Sequence, residues 1–479
     1  MDKILSDRLN KLTKNTNFIL TNININNVSL NICFHRFLAD VKQYNTYFMD
    51  RINSSNYHKL DEVYPGVYYK VYSIDDDINN IITNGNIFLE VDDYLYFINM
   101  QNNFNRSISE SLIEPTNIYG SRDGFTESIE MNLSLIQKRI KCPTFNSQRL
   151  VIGRRSQTDI NVLYIEDICN KKNIRQTLDI LKRIDIDAVQ SIKDITNVFE
   201  KKASKVNYLF PTTAEIGSPE LAASNLFEGR IVILINHFPI AIVLPVDATF
   251  FITLKENNFT SPTITLKYRI IFYILFFLTV FLLGIYAAII TFHTKNVSLI
   301  VVSEIKASLQ GSTLPLFLEF LFIIFLFDIL RLATTKSPNI NIQNIIVIVG
   351  GILIGQNAVS SGFISAFNLV ITAISYISCY ALTSNQRFIM ALRIFRIVVL
   401  ISGLLLGILG VIVITIVATF LISKTRSLDT PYLAPLFPFL NYDFKQTFLS
   451  RYIFKRFKRN QDLETIDNTR GVNSWKNIS

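Results

Sequence analysis

The stretch IIFYILFFLTVFLLGIYAAIIT, from Ile270 to Thr291, has 22 consecutive positions without Asp, Glu, Lys, Arg or His. An α-helix rises about 1.5 Å per residue, so this stretch is just long enough to cross a hydrocarbon core about 30 Å thick. A buried helix of this length in a soluble protein nearly always carries a polar stripe, and this one has none. The sequence therefore predicts a membrane-spanning helix that begins near residue 270.

More apolar stretches follow it towards the C-terminus. The further candidate spans are Leu314–Leu332, Ile345–Val359, Phe363–Leu382 and Ile397–Ile422. The segment 292–313 carries Lys295, Glu304 and Lys306 and is expected to be interfacial or re-entrant, because these charges are costly in lipid. We predict an α/β soluble N-terminal region of two subdomains followed by an α-helical multi-span membrane domain. The predicted parts are 1–115 (subdomain I), 116–262 (subdomain II), 263–424 (membrane domain) and 425–479 (basic juxtamembrane tail).

The basic excess of the chain lies beside the predicted membrane. Residues 1–269 hold 30 basic and 30 acidic side chains, whereas the tail from Lys424 holds ten Lys and Arg against five acids. Anionic lipid explains this distribution without nucleic acid. Five crossings would place the tail opposite the soluble half, but a basic tail favours the cytosolic side. We therefore expect an even number of crossings, with a cytosolic soluble half because the N-terminus has no apolar signal-peptide core.

The soluble half shows two hairpins of similar pattern. Residues 1–60 are expected to be helical from a loose 3.6-residue periodicity. Behind Gly85, the strands Ile87–Val91 and Tyr94–Ile98 flank an acidic turn, and a comparable succession of two strands follows Gly229. Two subdomains of related fold would explain this, as would chance similarity of two generic hairpins. Further expected elements are a strand near 67–72, a helix at Thr126–Lys141, a strand at Val162–Ile165 and a helix at Asn173–Arg183.

No catalytic or metal-binding pattern is found in the chain. The four histidines and four cysteines lack metal-ligand spacing, and Walker, GxSxG and HExxH motifs do not occur. The run from Asp75 to Asp77 is typical of a solvated turn, and Asp185 and Asp187 indicate a strand edge rather than a catalytic pair. We expect no cofactor and no metal, and a soluble half that binds or assembles.

Charged residues inside the second span are better candidates for function. A charge at the centre of a membrane helix costs about 2.5–3.5 kcal/mol on insertion scales, so Glu319 and Asp328 need a reason to be there. Asp328 and Arg331 are three residues apart and can form a structural ion pair. Glu319 has no such local partner, which makes it a candidate for an ion pathway or, equally, for a structural hydrogen bond.

Two further features of the membrane half complete the candidate residues. Gln356 and Asn357, followed by two serines, resemble unwound backbone that lines a cavity, or else an ordinary loop between helices. Both are ion-pathway candidates. Gly403 and Gly407 form a GxxxG pattern, which allows close helix packing.

Over residues 80–440, the chain resembles the A subunits of the GerA-type nutrient germinant receptors of bacterial endospores. The motifs that carry the resemblance are Ser121–Ser128 (SRDGFTES), Gly153–Asp159 (GRRSQTD) with Val162–Glu166, Arg183–Asp187 (RIDID), Phe210–Thr213 (FPTT), Glu228–Arg230 (EGR), Thr291–His293 (TFH), Glu319 with Asp328–Arg331, Ile354–Val359 (IGQNAV) and Pro431–Leu436 (PYLAPL) with Pro438. The chain departs from the family where Asp328 replaces the more common Glu, and where Asn357 and Phe437 replace Ala.

The resemblance implies a place and partners that the residues alone do not give. It implies a soluble region facing the spore core and a membrane domain in the spore inner membrane. It also implies a permease-like B subunit that binds the nutrient, a lipoprotein C subunit, and a homo-oligomer around a pore whose opening releases monovalent cations. A non-conducting scaffold that links the nutrient-binding subunit to downstream factors is the alternative. No nucleic-acid partner is expected.

Overall fold

The computed structural model shows a β-rich front half and a helical rear half. It describes residues 18–25, 28–35, 39, 69–71, 86–91, 94–98, 121–203, 209–252, 262–294, 300, 303, 307–308, 313–336, 348, 350–352, 355–449 and 458–470. The Asp75–Asp77 turn and most of the segment 292–313 lie outside these ranges.

The strands and helices run in the following order. The strands are β1 Phe18–Ile25, β2 Val28–His35, β3 Tyr69–Val71, β4 Ile87–Val91, β5 Tyr94–Ile98, β6 Phe145–Ile152, β7 Thr158–Ile165, β8 Ala214–Ile216, β9 Ile231–Ile235, β10 Ala241–Leu244, β11 Arg426–Ser427 and β12 Thr430–Pro431. The helices are α1 Ile129–Gln137, α2 Lys171–Lys182, α3 Ile192–Ala203, α4 Pro219–Phe227, α5 Ala248–Ile252, α6 Pro262–Val280, α7 Leu282–Phe292, α8 Leu316–Lys336, α9 Ala366–Leu382, α10 Gln386–Ser423 and α11 Asn441–Leu449.

Two five-stranded antiparallel sheets share one topology. The first has the strand order β1-β2-β4-β5-β3 and the second β6-β7-β9-β10-β8, so each strand has a counterpart five places later. The two hairpins predicted from sequence, β4–β5 and β9–β10, occupy equivalent positions and are confirmed. The shared order supports two subdomains of related fold, while their exact boundaries stay a prediction.

The helical prediction for residues 1–60 is wrong where the structure describes this segment. Phe18–Ile25 and Val28–His35 form a hairpin, and the second of these strands pairs with β4. In the segment FILTNINI the last four residues, Asn22–Ile25, alternate polar and apolar with a period of two, and this strand signal outweighs a loose helical spacing. Asp185 and Asp187 are also corrected, because they lie in an irregular loop and pair with Arg154 and Arg155.

A buried contact joins the first sheet to helix α1, which packs on the second sheet. The Gln137 side chain at the end of α1 lies 3.1 Å from His35 of β2, between Nε2 atoms. Burial lowers the pKa of His35 to about 3, so this ring is neutral at physiological pH. The second sheet packs α1 and α4 against one face and α2 and α3 against the other.

The helical half contains the apolar segments predicted from sequence, with changes in their shape. The first predicted span is two helices, α6 and α7, bent by 50° at Phe281. By length and composition, one described helix, α10, suits a membrane crossing, and the bent pair counts as a second if it is one span. The third predicted span, Ile345–Val359, is described at 348, 350–352 and 355–359, and these residues are helical. A multi-span arrangement therefore stays a prediction.

The fifth predicted span differs most from the structure. Helix α10 has 38 residues and would be about 57 Å long if straight. Gly407 interrupts it with φ 65° and ψ −151°. A Cβ atom at Gly410 would overlap the carbonyl oxygen of Ser402, although eight residues of straight helix separate two such positions by about 12 Å. The chain therefore folds back at Gly407, and α10 is a helical hairpin with arms 386–406 and 408–423.

Both ends of this hairpin return to the same place on the soluble half. Arg387 lies 3.3 Å from a carboxylate oxygen of Glu215, and Ser427 donates a hydrogen bond of 2.5 Å to the carbonyl of Thr212. Because Thr212 and Glu215 are three residues apart, they lie within about 11 Å of each other. This placement requires the reversal at Gly407.

The C-terminal tail packs against the second subdomain. Val246 donates to the Ser427 hydroxyl over 3.0 Å, and Ile466 donates to the carbonyl of Ile168 over 3.0 Å. The Arg459 guanidinium donates to the carbonyl of Phe227 over 2.8 Å. The residues before and after the helical half therefore lie on one side of it.

Candidate functional site: a buried polar cluster in the helical half

Helix α9 carries a polar face inside the apolar helical half. Asn368, Thr372, Ser375 and Cys379 recur at intervals of four, three and four residues, which places them on one face of the helix. All four are buried, with at most 1% of their surface exposed. Buried polar groups in such a setting need partners, and these partners come from the neighbouring helices.

Glu319 of α8 lies at the start of this polar face. It is fully buried, and its Oε1 accepts a hydrogen bond of 2.5 Å from the backbone N–H of Ser365. Ser365 is the N-cap residue of α9 and makes no capping bond with its own side chain. Glu319 therefore caps a helix other than its own, and a carboxylate is favourable there because helix N-termini carry partial positive charge.

The first turn of α9 also carries Asn368, whose side chain contacts both Tyr286 and Glu319. The Tyr286 hydroxyl donates a hydrogen bond of 2.9 Å to Oδ1 of Asn368. Neither Nδ2 of Asn368 nor Oε2 of Glu319 has a hydrogen-bond partner among the described residues. The Asn368 side chain nevertheless lies close enough to the Glu319 carboxylate to contribute a weak hydrogen bond to it, so the two groups form an imperfect polar contact at the start of α9.

Arg396 is the charged group at the other end of the polar face. It lies on the first arm of α10, is fully buried, and stacks its guanidinium 3.8 Å from the ring centre of Tyr376. It also donates to the Ser375 hydroxyl over 3.3 Å, and Ser375 in turn donates to the carbonyl of Thr279. Its Nε and Nη2 have no partner among the described residues.

The ion pair predicted between Asp328 and Arg331 is wrong. Asp328 forms a salt bridge with Arg393 of α10 and accepts a hydrogen bond of 2.8 Å from the Tyr376 hydroxyl. Arg331 instead donates to the Gln386 side chain over 2.5 Å. Spacing of three residues permits a pair within a helix, but the arginine of a neighbouring helix lies closer to the buried side of Asp328.

Gln356 and Asn357 do not lie in the cluster. Both are exposed, and they belong to a helical stretch, not to unwound backbone. Asn357 accepts the backbone N–H of Ser361, one turn ahead, over 3.0 Å. The chain turns after this stretch at Gly362, which has φ 70°. These two residues are therefore on the outer surface of the helical half.

The two glycines of the predicted GxxxG pattern have different roles in the structure. A Cβ atom at Gly403 would overlap the carbonyl oxygen of Gly284, and one at Gly284 would lie 2.7 Å from that of Val399. The backbones of α7 and α10 therefore touch at Gly403. Gly407 forms no such packing face, because it is the point of reversal and needs its positive φ.

Arg387 links the cluster to the soluble half. At the first turn of α10 its guanidinium donates to Glu200 over 2.6 Å, contacts Glu215 over 3.3 Å, and also donates to Thr196. Burial raises the pKa of Glu200, and the charge of Arg387 partly offsets this rise. This group, which we call the clamp (Arg387, Glu200, Glu215 and Thr196), fixes the foot of the helical hairpin to α3 and β8.

Replacement of Arg387 by Gln is expected to destabilise the chain by about 2–4 kcal/mol, because it leaves two half-buried carboxylates facing each other. The apparent Tm of the full chain in detergent should fall by about 2–4 °C. Arg154→Gln is the matched control, since its ion pair with Asp185 is exposed and should contribute nothing measurable. Equal Tm values for both variants would contradict a role of the clamp.

The docked tail places several acids around one arginine. Arg230 is 3% exposed and contacts Asp247 at 3.0 Å and Glu228 at 3.9 Å. Asp443 accepts the backbone N–H of Gln461 over 2.8 Å. Burial, followed by the charge of Asp247, raises the pKa of Asp462 to about 8. Asp462 is therefore protonated in the docked tail at neutral pH.

The docking of the tail is expected to weaken as pH rises. The pKa of Asp462 is about 8 when the tail is docked and near 3.8 when the residue is exposed. The stability gained by docking is therefore fully present below pH 4 and decreases progressively as the pH rises to about 8. Hydrogen exchange of residues 461–469, corrected for intrinsic rates, should be faster at pH 8 than at pH 5.5. Asp462→Asn should remove most of this difference; an unchanged difference would show that another group is responsible.

Sequence reasoning found part of this cluster and missed the rest. Arg396 was missed because the fifth span was expected to begin at Ile397, whereas α10 begins at Gln386. The missed signal is Asn385, whose side chain accepts the N–H groups of Arg387 and Phe388 as an N-cap. No group of three or more metal-ligating side chains is found among the described residues.

Comparison with known proteins identifies relatives over nearly the whole chain. The family model "Bacillus/Clostridium GerA spore germination protein" matches residues 5–462. The chain is 33% identical to spore germination protein XA of Bacillus anthracis, over 82% of this chain and 80% of that protein. It is 28% identical to spore germination protein GerQA of Bacillus cereus, over 95% of this chain and 92% of that protein.

One solved structure is also similar to part of the chain. It is the crystal structure of the N-terminal domain of the A subunit of the Bacillus megaterium spore germinant receptor GerK3. It is 22% identical, covers 50% of this chain and 92% of that domain, and has a TM-score of 0.36.

Proposed function

Because this chain belongs to the Bacillus/Clostridium GerA spore germination protein family, we propose that it is the A subunit of a nutrient germinant receptor. In this proposal several copies form a cation channel in the spore inner membrane, and the channel opens when a partner subunit binds the nutrient. The buried polar cluster of Glu319, Asn368, Ser375 and Arg396 in an otherwise apolar helical half is the observation that carries the proposal.

The surface of the helical half supports a location in lipid. Large apolar side chains are widely exposed on its helices, as at Ile377 (67%), Leu405 (70%) and Leu409 (73%). Exposed apolar surface on this scale is typical of membrane or protein contact. The tail contacts the second subdomain, so the two ends of the helical half lie on one side. This supports an even number of complete crossings, and we propose that the soluble half and the basic tail lie together on the core side.

The clamp and the cluster support gating by a shift between two packings. Polar groups with unpaired atoms lie where α8, α9 and α10 meet, and α10 is fixed to the soluble half by Arg387. A partner that contacts the two packings differently shifts the balance between them. We propose the permease-like B subunit as that partner, together with a lipoprotein C subunit and further copies of this chain.

The ion path is placed between copies rather than inside one protomer. Arg396 is buried within the protomer and repels cations, whereas Gln356 and Asn357 are exposed polar residues on the helical half. Neutral polar side chains and carbonyl groups on a pore wall can replace part of the hydration shell of a cation. Glu319 acts in this scheme on the packing that opens the path.

Cation flux from liposomes tests this function. The chain is reconstituted with and without the B and C subunits, and potassium release is recorded after addition of nutrients. Release that requires both the nutrient and this chain supports the channel. A complex that assembles and binds nutrient but releases no cation would instead support the scaffold, which the structural role of buried Glu319 as a helix cap also suits.

A further inference from the structure

A cavity lies between the soluble half and the tail, away from the polar cluster. Its volume is about 120 Å³, and it is partly open to solvent. Its walls come from α2, α3, the segment before β8, β10 and the β11–β12 hairpin of the tail. The tail hairpin thus closes a space that the second subdomain alone leaves open.

One wall of the cavity holds an unused hydroxyl group. Thr213 is 2% exposed, and its Oγ1 has no hydrogen-bond partner among the described residues. A buried hydroxyl without a partner costs about 1–3 kcal/mol, which a bound polar group would recover. The neighbouring carbonyl of Thr212 is already used, because it accepts the hydroxyl of Ser427.

The remaining walls give the cavity its chemical preference. Among the described residues that line it, Asp429 alone is ionisable, and its carboxylate accepts one hydrogen bond of 3.0 Å from Gln176. A carboxylate has room for further donors. Ile180, Phe199 and Leu244 provide the apolar side. A cavity of about 150 Å³ holds benzene, so this one suits about five non-hydrogen atoms.

We propose that this cavity binds a small organic ammonium ion, with its ammonium group on Asp429 and its apolar part on the Ile180 side. Where the ion carries a second polar group, that group bonds the Thr213 hydroxyl. The occupant joins the tail hairpin to α3, which also carries the clamp residues Thr196 and Glu200. The cavity is therefore an effector site that stabilises the contact between tail and soluble half. This inference does not depend on ion conduction.

The test uses the full chain in detergent with isobutylammonium, with 2-aminoethanol and with uncharged isobutanol, followed by saturation-transfer NMR titration. Both amines should bind saturably, and isobutanol about tenfold more weakly, since charge-assisted hydrogen bonds are the strong ones. Asp429→Asn should weaken both amines by about tenfold. Thr213→Val should weaken 2-aminoethanol severalfold and isobutylammonium little, and it should not unfold the chain because its hydroxyl has no partner.

Two variants on α2 serve as matched controls. Asp179→Asn and Thr177→Val change the same residue types outside the cavity lining, and binding should stay within about twofold of the original. The proposal is overturned if neither amine binds saturably, if isobutanol binds as well as isobutylammonium, or if the Asp429 and Asp179 variants behave alike. This test is independent of the proposed channel. Loss of nutrient-dependent cation release would not contradict amine binding in the cavity, and intact release would not support such binding if the amines fail to bind.

Discussion

Replacement of Gly403 by Leu is expected to abolish the folded helical half. A Cβ atom at this position overlaps the carbonyl oxygen of Gly284, and the carbon and the oxygen next to it both belong to backbone, which cannot swing aside as a side chain can. Helices α7 and α10 must therefore separate, and the packing at Val399 and Leu283 separates with them. A destabilisation above about 4 kcal/mol is expected, as for other severe overpacking of a core.

Gly351 provides the control for this experiment. It is also a helical glycine of the apolar half, yet among the described residues no atom beyond its own helix backbone lies within 4 Å of a Cβ built there. Gly351→Leu should therefore give a monodisperse protein in detergent, whereas Gly403→Leu should aggregate or be degraded. Size-exclusion chromatography of both variants is the measurement. A monodisperse Gly403→Leu protein with an unchanged Tm would refute the close contact between the two helices.

The sequence predicts the elements of this protein better than their partners. Alternation over Ile87–Val91 and Tyr94–Ile98 predicts a hairpin correctly, since local pattern and turn residues specify hairpins. The pairing of Asp328 with Arg393 could not be predicted in this way. It depends on which helix lies beside α8, and 65 residues separate the two side chains in the chain.

The reversal at Gly407 shows a second reason why sequence alone is insufficient. The segment Ile397–Ile422 is uniformly apolar, so hydropathy cannot distinguish one long helix from two arms. Glycine is common in membrane helices, and a GxxxG pattern predicts packing at both of its glycines. Tertiary contacts decide otherwise, because the clamp at Arg387 and the tail at Ser427 hold both ends of α10 against residues 212–215. The glycine between them must then turn the chain.

These contacts also give the two candidate functions a common physical basis. The soluble half holds the helical hairpin at its foot, and α10 in turn holds Asp328 and Tyr376 through Arg393 and Arg396. A change at the soluble half can thus reach α8 and α9 through residues in direct contact. Whether that change opens a path for cations or is passed to another protein depends on what the cluster does when its packing shifts.

Glu319→Gln is expected to raise nutrient-independent cation release while the complex still assembles. Gln keeps the volume and an oxygen that can accept the N–H of Ser365, but it loses the charge that favours the N-terminus of α9. A loss of about 1–2 kcal/mol in the resting packing shifts a two-state equilibrium by about 5–30-fold. Potassium release from liposomes without nutrient should increase by a comparable factor.

Glu220→Gln provides the matched control, because Glu220 also accepts a backbone N–H, that of Ser121, over 2.8 Å, but does so in the soluble half. It should leave basal release unchanged. Glu319→Leu removes the acceptor altogether, leaves the N–H of Ser365 buried and unpaired, and should reduce assembly. If Glu319→Gln assembles normally and releases cations at the original rate with and without nutrient, Glu319 is a structural cap and the scaffold becomes the better account of this chain.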